Sequence, residues 1–291
     1  MDANRADSRR LTIILLVTLS YFVIELVGAY FTNSLALLTD AVHLLTDIGA
    51  IGLSLLTLRI AARPPGAGKT FGYLRAEILG AVANGLFLWL LVAFLLVEAV
   101  HRLRVPEHAR GAGMMAVAAI GVGVNSLAAA LSNQHTERGH GMALRAVFVH
   151  VISDLMGSLG VLAGGALIYF LHWQAADPIV SLAIGILILV NSWGLIREGV
   201  DILMEAVPAH VDVEEIRHEL LLVAGTKEVH DLHVWCLTAR EFALSAHAVV
   251  MEQADSDRVL SDMSHVLERF EIRHMTVQLE RDSRRSREPH Y

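Results

Sequence analysis

Apolar residues fall into six long runs, Leu11–Phe31, Leu35–Leu58, Ile78–Val100, Gly113–Leu131, Ala143–Leu171 and Ile179–Ile196, with short polar connections between them. Each run approaches or exceeds the roughly 20 residues that a helix rising about 1.5 Å per residue needs to cross about 30 Å of hydrocarbon. The runs lack the alternation of barrel strands, and lipid offers unpaired backbone groups no partner, so the pattern predicts six transmembrane helices. The first run is too long for a cleaved signal and reads as a retained anchor. After Pro208 the periodicity changes. Asp212–Val223 and Asp257–Phe270 read as helices, and Val229–Leu237, Phe242–Val250 and Met275–Leu279 as strands. The order helix, strand, strand, helix, strand predicts a small α+β sandwich with its helices on one face.

The expected organisation is therefore a short N-terminal segment (1–10), a membrane all-α six-helix transmembrane domain (11–207), an α+β domain (208–280) and a disordered tail (281–291). Composition agrees: 54% of the 291 residues are hydrophobic and 18% are charged, against about 45–50% and about 25% in soluble domains. One cysteine, Cys236, excludes a disulfide framework. The net charge of −7 excludes a nucleic-acid binder by charge, and residues 208–280 hold 14 carboxylates against six Lys or Arg. Most basic residues near the run ends (Arg5, Arg9, Arg10, Arg59, Arg63, Lys69, Arg75, Arg138, Arg145, Arg197) share one side if the chain starts inside. Arg102, Arg104 and Arg110 oppose them. The positive-inside rule then places both termini in the cytoplasm.

The informative chemistry lies within the runs. The second contains Asp40, His43 and Asp47, and the fifth His150 and Asp154. Both carry His-x-x-x-Asp, and residues four apart share a helical face, so each helix offers one imidazole nitrogen and one carboxylate in the same direction. Counted at about 1.5 Å per residue, both pairs fall near mid-membrane. Ionisable groups there cost several kcal/mol, which favours a site that uses them over polar contacts between helices. Two nitrogens and two oxygens suit tetrahedral Zn²⁺. Asp40, one turn before His43, reads either as a hydrogen-bonded helix-end residue or as an outer partner of the site. Metal and protons compete for these ligands, so a site opening alternately to each side can exchange them.

These residues resemble the cation diffusion facilitator family. The resemblance rests on the two intramembrane motifs, Phe71-Gly72-Tyr73 with Arg75-Ala76-Glu77, Asp177-Pro178, and His230-Asp231-Leu232-His233-Val234-Trp235. The histidine in each motif is similar to the zinc-transporting branch. What the resemblance implies is a homodimeric, multi-pass exporter of divalent metal that exchanges Zn²⁺ for protons, with six transmembrane helices and a cytoplasmic ferredoxin-like domain. The short single chain fits a bacterial inner membrane. In the cytoplasmic domain the resemblance marks His230, His247, His274 and Glu280 as candidate ligands for additional zinc, with Arg273 where relatives often have a histidine.

Two other function classes stand beside the exporter. An intramembrane metalloenzyme needs a general base beside an open metal position, and no His-Glu-x-x-His helix is present. A metal sensor binds ions without flux. Among cargo ions, Cd²⁺, Co²⁺ and Fe²⁺ rival Zn²⁺, because the donor set does not separate them.

Overall fold

The computed structural model describes residues 19–61, 66–136 and 141–281, with the side chains of 50, 51, 54, 55, 57, 58, 61, 128–136 and 141–151 left outside that description. The expected N-terminal segment, the start of the first apolar run and most of the tail lie outside the described residues. The chain divides into two compact units. One takes residues up to Leu55 and Ala83–Gly194, and the other takes Leu56–Val82 and everything from Leu195 onward.

The first unit is helical. Its elements lie on α1 (Leu19–Thr32), α2 (Leu35–Ala61), α3 (Ala76–Arg104), α4 (Gly111–Thr136), α5 (Gly141–Leu171) and α6 (Ala176–Leu203), the ends of α2, α3 and α6 belonging to the second unit. Among the described residues, α3, α6 and Ile152–Leu171 of α5 are long and apolar enough to cross a membrane, while Leu19–Thr32 and Gly111–Leu127 are shorter apolar stretches. Helix α3 buries Leu88, Val92, Leu95 and Ala99 but turns Leu90, Phe94 and Val97 outward, each about 70% exposed. In water such a face would be a costly patch; in lipid it is neutral.

Small residues set the helix spacing. A Cβ on Gly111 would stand 2.6 Å from the Gly165 carbonyl, so α4 and α5 meet backbone to backbone there. The start of α2 is fixed by Asp177 at the head of α6. Its carboxylate accepts hydrogen bonds from Ser34 Oγ at 2.6 Å, Leu35 N at 2.7 Å and Ala36 N at 3.0 Å. A carboxylate on otherwise unpaired N–H groups of a helix N-terminus satisfies both the donors and the dipole. One turn further along, Thr39 and Ser181 hydroxyls bond at 2.7 Å, so α2 is held against α6 twice.

The second unit contains α7 (Val213–Leu221), β1 (Thr226–Cys236), β2 (Phe242–Val250), α8 (Ser256–Glu268) and β3 (Ile272–Glu280). The element order matches the sequence expectation. The sheet runs β1-β2-β3, antiparallel between β1 and β2 and parallel between β2 and β3, with α8 as the crossover. Asp212 and Asp255 cap α7 and α8 by accepting from the backbone N–H groups two and three residues on. Ile216 and Leu220 of α7 and Met263 and Leu267 of α8 are fully buried against Leu244, Ala246 and Ala248 of the sheet, in one core. Cys236 faces that core, where burial, with Glu198 nearby, holds its thiol above the usual range.

Candidate metal sites

In the first unit, α2 presents His43 and Asp47 on one face and α5 presents Asp154 opposite them. His43 Nε2 lies 3.3 Å from Asp154 Oδ1 and 3.9 Å from Asp47 Oδ2. The three side chains are largely buried, between 14 and 29% exposed. Tetrahedral Zn²⁺ with bonds of about 2.0–2.2 Å separates neighbouring ligand atoms by about 3.4 Å, so these spacings need little adjustment to take an ion. His150 belongs to α5 one turn before Asp154, but its side chain lies outside the described residues. Asp40 is 5% exposed and faces inward beside Glu25 of α1, rather than capping the helix end.

In the second unit the strands bring a different set together. His230 of β1, His247 of β2 and Glu280 of β3 offer ligand atoms all within 4.8 Å of one another. His230 Nε2 is 3.4 Å from Glu280 Oε2, and His247 Nδ1 is 3.5 Å from Glu280 Oε1. His230 and Glu280 are almost fully buried. The register explains the convergence: His230 pairs with His247, and Val249, two residues on from His247, pairs with Glu280. Residues two apart on a strand share a face.

A bulge does more. The pairing shifts by one residue between His230 and His233, where Asp231 takes a left-handed φ of +49°. In a regular strand positions 230 and 233 face opposite ways; the extra residue puts both on the face away from the helices. Asp231 then lies 3.0 Å from His233 Nε2 and 3.9 Å from His247 Nε2. Its part at the edge of this cluster was not legible in the sequence, because the bulge left no glycine to signal it. His274 is not in the cluster. It pairs with Ala243, four residues before His247, and its ring packs edge-on against Phe71 at 5.4 Å.

A histidine and two aspartates that meet between two helices of an apolar bundle, followed by a small α+β domain, suit a metal-handling membrane protein. Comparisons with known proteins agree. The model of the cation efflux transmembrane domain matches residues 11–204, and that of the cation efflux protein cytoplasmic domain matches residues 208–282. The chain belongs to the cation efflux, or cation diffusion facilitator, family. It is 36% identical over 281 residues to the cadmium, cobalt and zinc/H(+)-K(+) antiporter of Bacillus subtilis, covering 96% of this chain and 90% of that one. It is 35% identical to the metal cation efflux system protein CzcD of Cupriavidus metallidurans (96% and 88% covered). It is 33% identical to the zinc transporter ZitB of Escherichia coli (94% and 88% covered). The protein is thus a multi-pass membrane transporter and not an enzyme.

Proposed function

We propose that the protein exports Zn²⁺ in exchange for protons by alternating access, and that His43, Asp47, His150 and Asp154 form a tetrahedral transport site near mid-membrane. The observation that carries this reading is the approach of His43 to Asp154 at 3.3 Å across two helices. These groups bind metal only when deprotonated. Two carboxylates facing one imidazole in a low-dielectric bundle favour a divalent cation when it is present and protons when it leaves. The names of the relatives support zinc as cargo and protons as the counter-ion.

The wider reading has six transmembrane helices in residues 11–207, a ferredoxin-like cytoplasmic domain in 208–280, both termini in the cytoplasm of a bacterial inner membrane, and a homodimer. The match to a cytoplasmic domain model and the basic residues near the helix ends support it. The His230–His247–Glu280 cluster is proposed as a second, cytoplasmic zinc site, with His274 outside it. Because the relatives' names also include cadmium and cobalt, those ions are the second reading for the cargo.

The test is metal flux into vesicles with an imposed pH gradient, run with Zn²⁺, Cd²⁺ and Co²⁺, and with potassium or choline as the background cation. The expected result is proton-driven Zn²⁺ movement that Asp154→Ala and His150→Ala abolish. Undiminished flux in either variant removes the assigned site. Flux of another ion alone reassigns the cargo.

A further inference from the structure

A second polar group inside the helical unit is not used by the ligands. Glu25 of α1 is fully buried, and its Oε1 accepts a hydrogen bond from the hydroxyl of Tyr21, one turn earlier on the same helix. Its carboxyl also lies within hydrogen-bonding reach of Asp40 on α2. The surroundings hold this pair in place. A Cβ on Gly121 of α4 would overlap the Tyr21 hydroxyl and stand 2.9 Å from Ser158 Oγ, so Tyr21 fits only because that position is glycine. Asn125 donates to Ser158 Oγ at 3.1 Å, and Asp40 Oδ1 leans on the backbone of α5 at Gly157. Four helices therefore converge on two carboxyls one turn from His43.

Two adjacent carboxylates in a low-dielectric site do not both stay ionised; they share a proton, as paired catalytic aspartates do. The groups acting on this pair are Tyr21 on the helix of Glu25, His43 and Asp47 on α2, and Asp154 on α5. Among them only His43 can carry positive charge. We propose that Glu25 and Asp40 together hold one exchangeable proton and form a proton-carrying site separate from the metal ligands. The inference rests on the transport-site reading above. When a divalent ion arrives at His43, Asp47 and Asp154, its charge favours the doubly ionised pair. The O–H bond breaks, the proton leaves to water, and no redox change occurs. The site is thus a further functional element of the exchange, on a helix that supplies no metal ligand in this reading.

The experiment counts protons released per zinc bound by the full-length protein in weakly buffered detergent solution, beside a zinc-binding titration. Infrared difference spectra of the carboxylic-acid C=O band accompany it. The parent is expected to lose such a band on binding zinc. Glu25→Gln keeps an oxygen to accept from Tyr21, so it is expected to bind zinc within about threefold of the parent while releasing about one proton fewer and lacking that band component. Asp40→Asn, a second variant should the first misfold, is expected to lose the same component. An unchanged proton count and band in Glu25→Gln, or a zinc-free parent without the band, overturns the proposal. Loss of zinc binding in the parent itself would instead overturn the transport site.

Discussion

The helical and sheet regions solve the same problem with different geometry. Each brings imidazole nitrogen to within 3.3–3.5 Å of a carboxylate. In the helical unit His43 and Asp47 come from one helix, because spacing of four places both on one helical face, and Asp154 meets them from α5. In the sheet unit each strand supplies one partner, and the pairing register decides which residues meet. The first site needs only two helices side by side. The second needs three strands in one register, so a slip by one residue would turn its ligands to the opposite face.

The comparison breaks most clearly at one histidine from each site. His43→Ala is expected to lower proton-driven zinc flux at least about 100-fold, beyond the cost of losing an outer partner of a metal ligand. His247→Ala is expected to leave flux within several-fold while removing one class of zinc sites from a binding titration on the intact protein. Equal loss in both would mean that the sheet cluster takes part in transport.

A second contrast sets a buried cap against an exposed one. Asp177 is 2% exposed and accepts three hydrogen bonds at the head of α2, whereas the α8 cap Asp255 makes its two at the surface. Asp177→Ala should cost about 3 kcal/mol and lower zinc flux through misplacement of His43, while Asp255→Ala should cost about 1 kcal/mol. Thermal unfolding in detergent measures both, and equal shifts would deny the buried cap its positioning role.

Zinc itself sharpens the comparison. An ion held by His230, His247 and Glu280 should stabilise the sheet unit by about 2.7 kcal/mol at a hundred times its dissociation constant, and Glu280→Gln should abolish that gain. Hydrogen exchange of the β1–β3 amides, with and without zinc, reads it directly. The smallest effect concerns Cys236: its raised thiol should react slowly with maleimide at neutral pH until the domain is denatured.

The common face of His43 and Asp47 was legible because the helix is a local structure, as were the apolar helices α3, α5 and α6. The α+β order after Pro208 followed from periodicity for the same reason. The four-residue cytoplasmic set was only partly legible. His230, His247 and Glu280 meet, but His274 pairs four residues too early on β2 to reach them. Asp231 entered only through a bulge. Glu25 stood in the sequence as a polar residue in an apolar run, which could equally line a pathway or pin helices together.

The sequence by itself determined the apolar runs, the element order of the cytoplasmic part and the shared face of His43 and Asp47 on α2, since each depends on neighbours within about four residues. Tertiary structure alone decided that His43 meets Asp154, that Glu25 meets Asp40, and that the β1 bulge turns His230 and His233 to one face. Those contacts join residues far apart in the chain. Their geometry is set by close helix approach at glycine and by strand register, which no local spacing records.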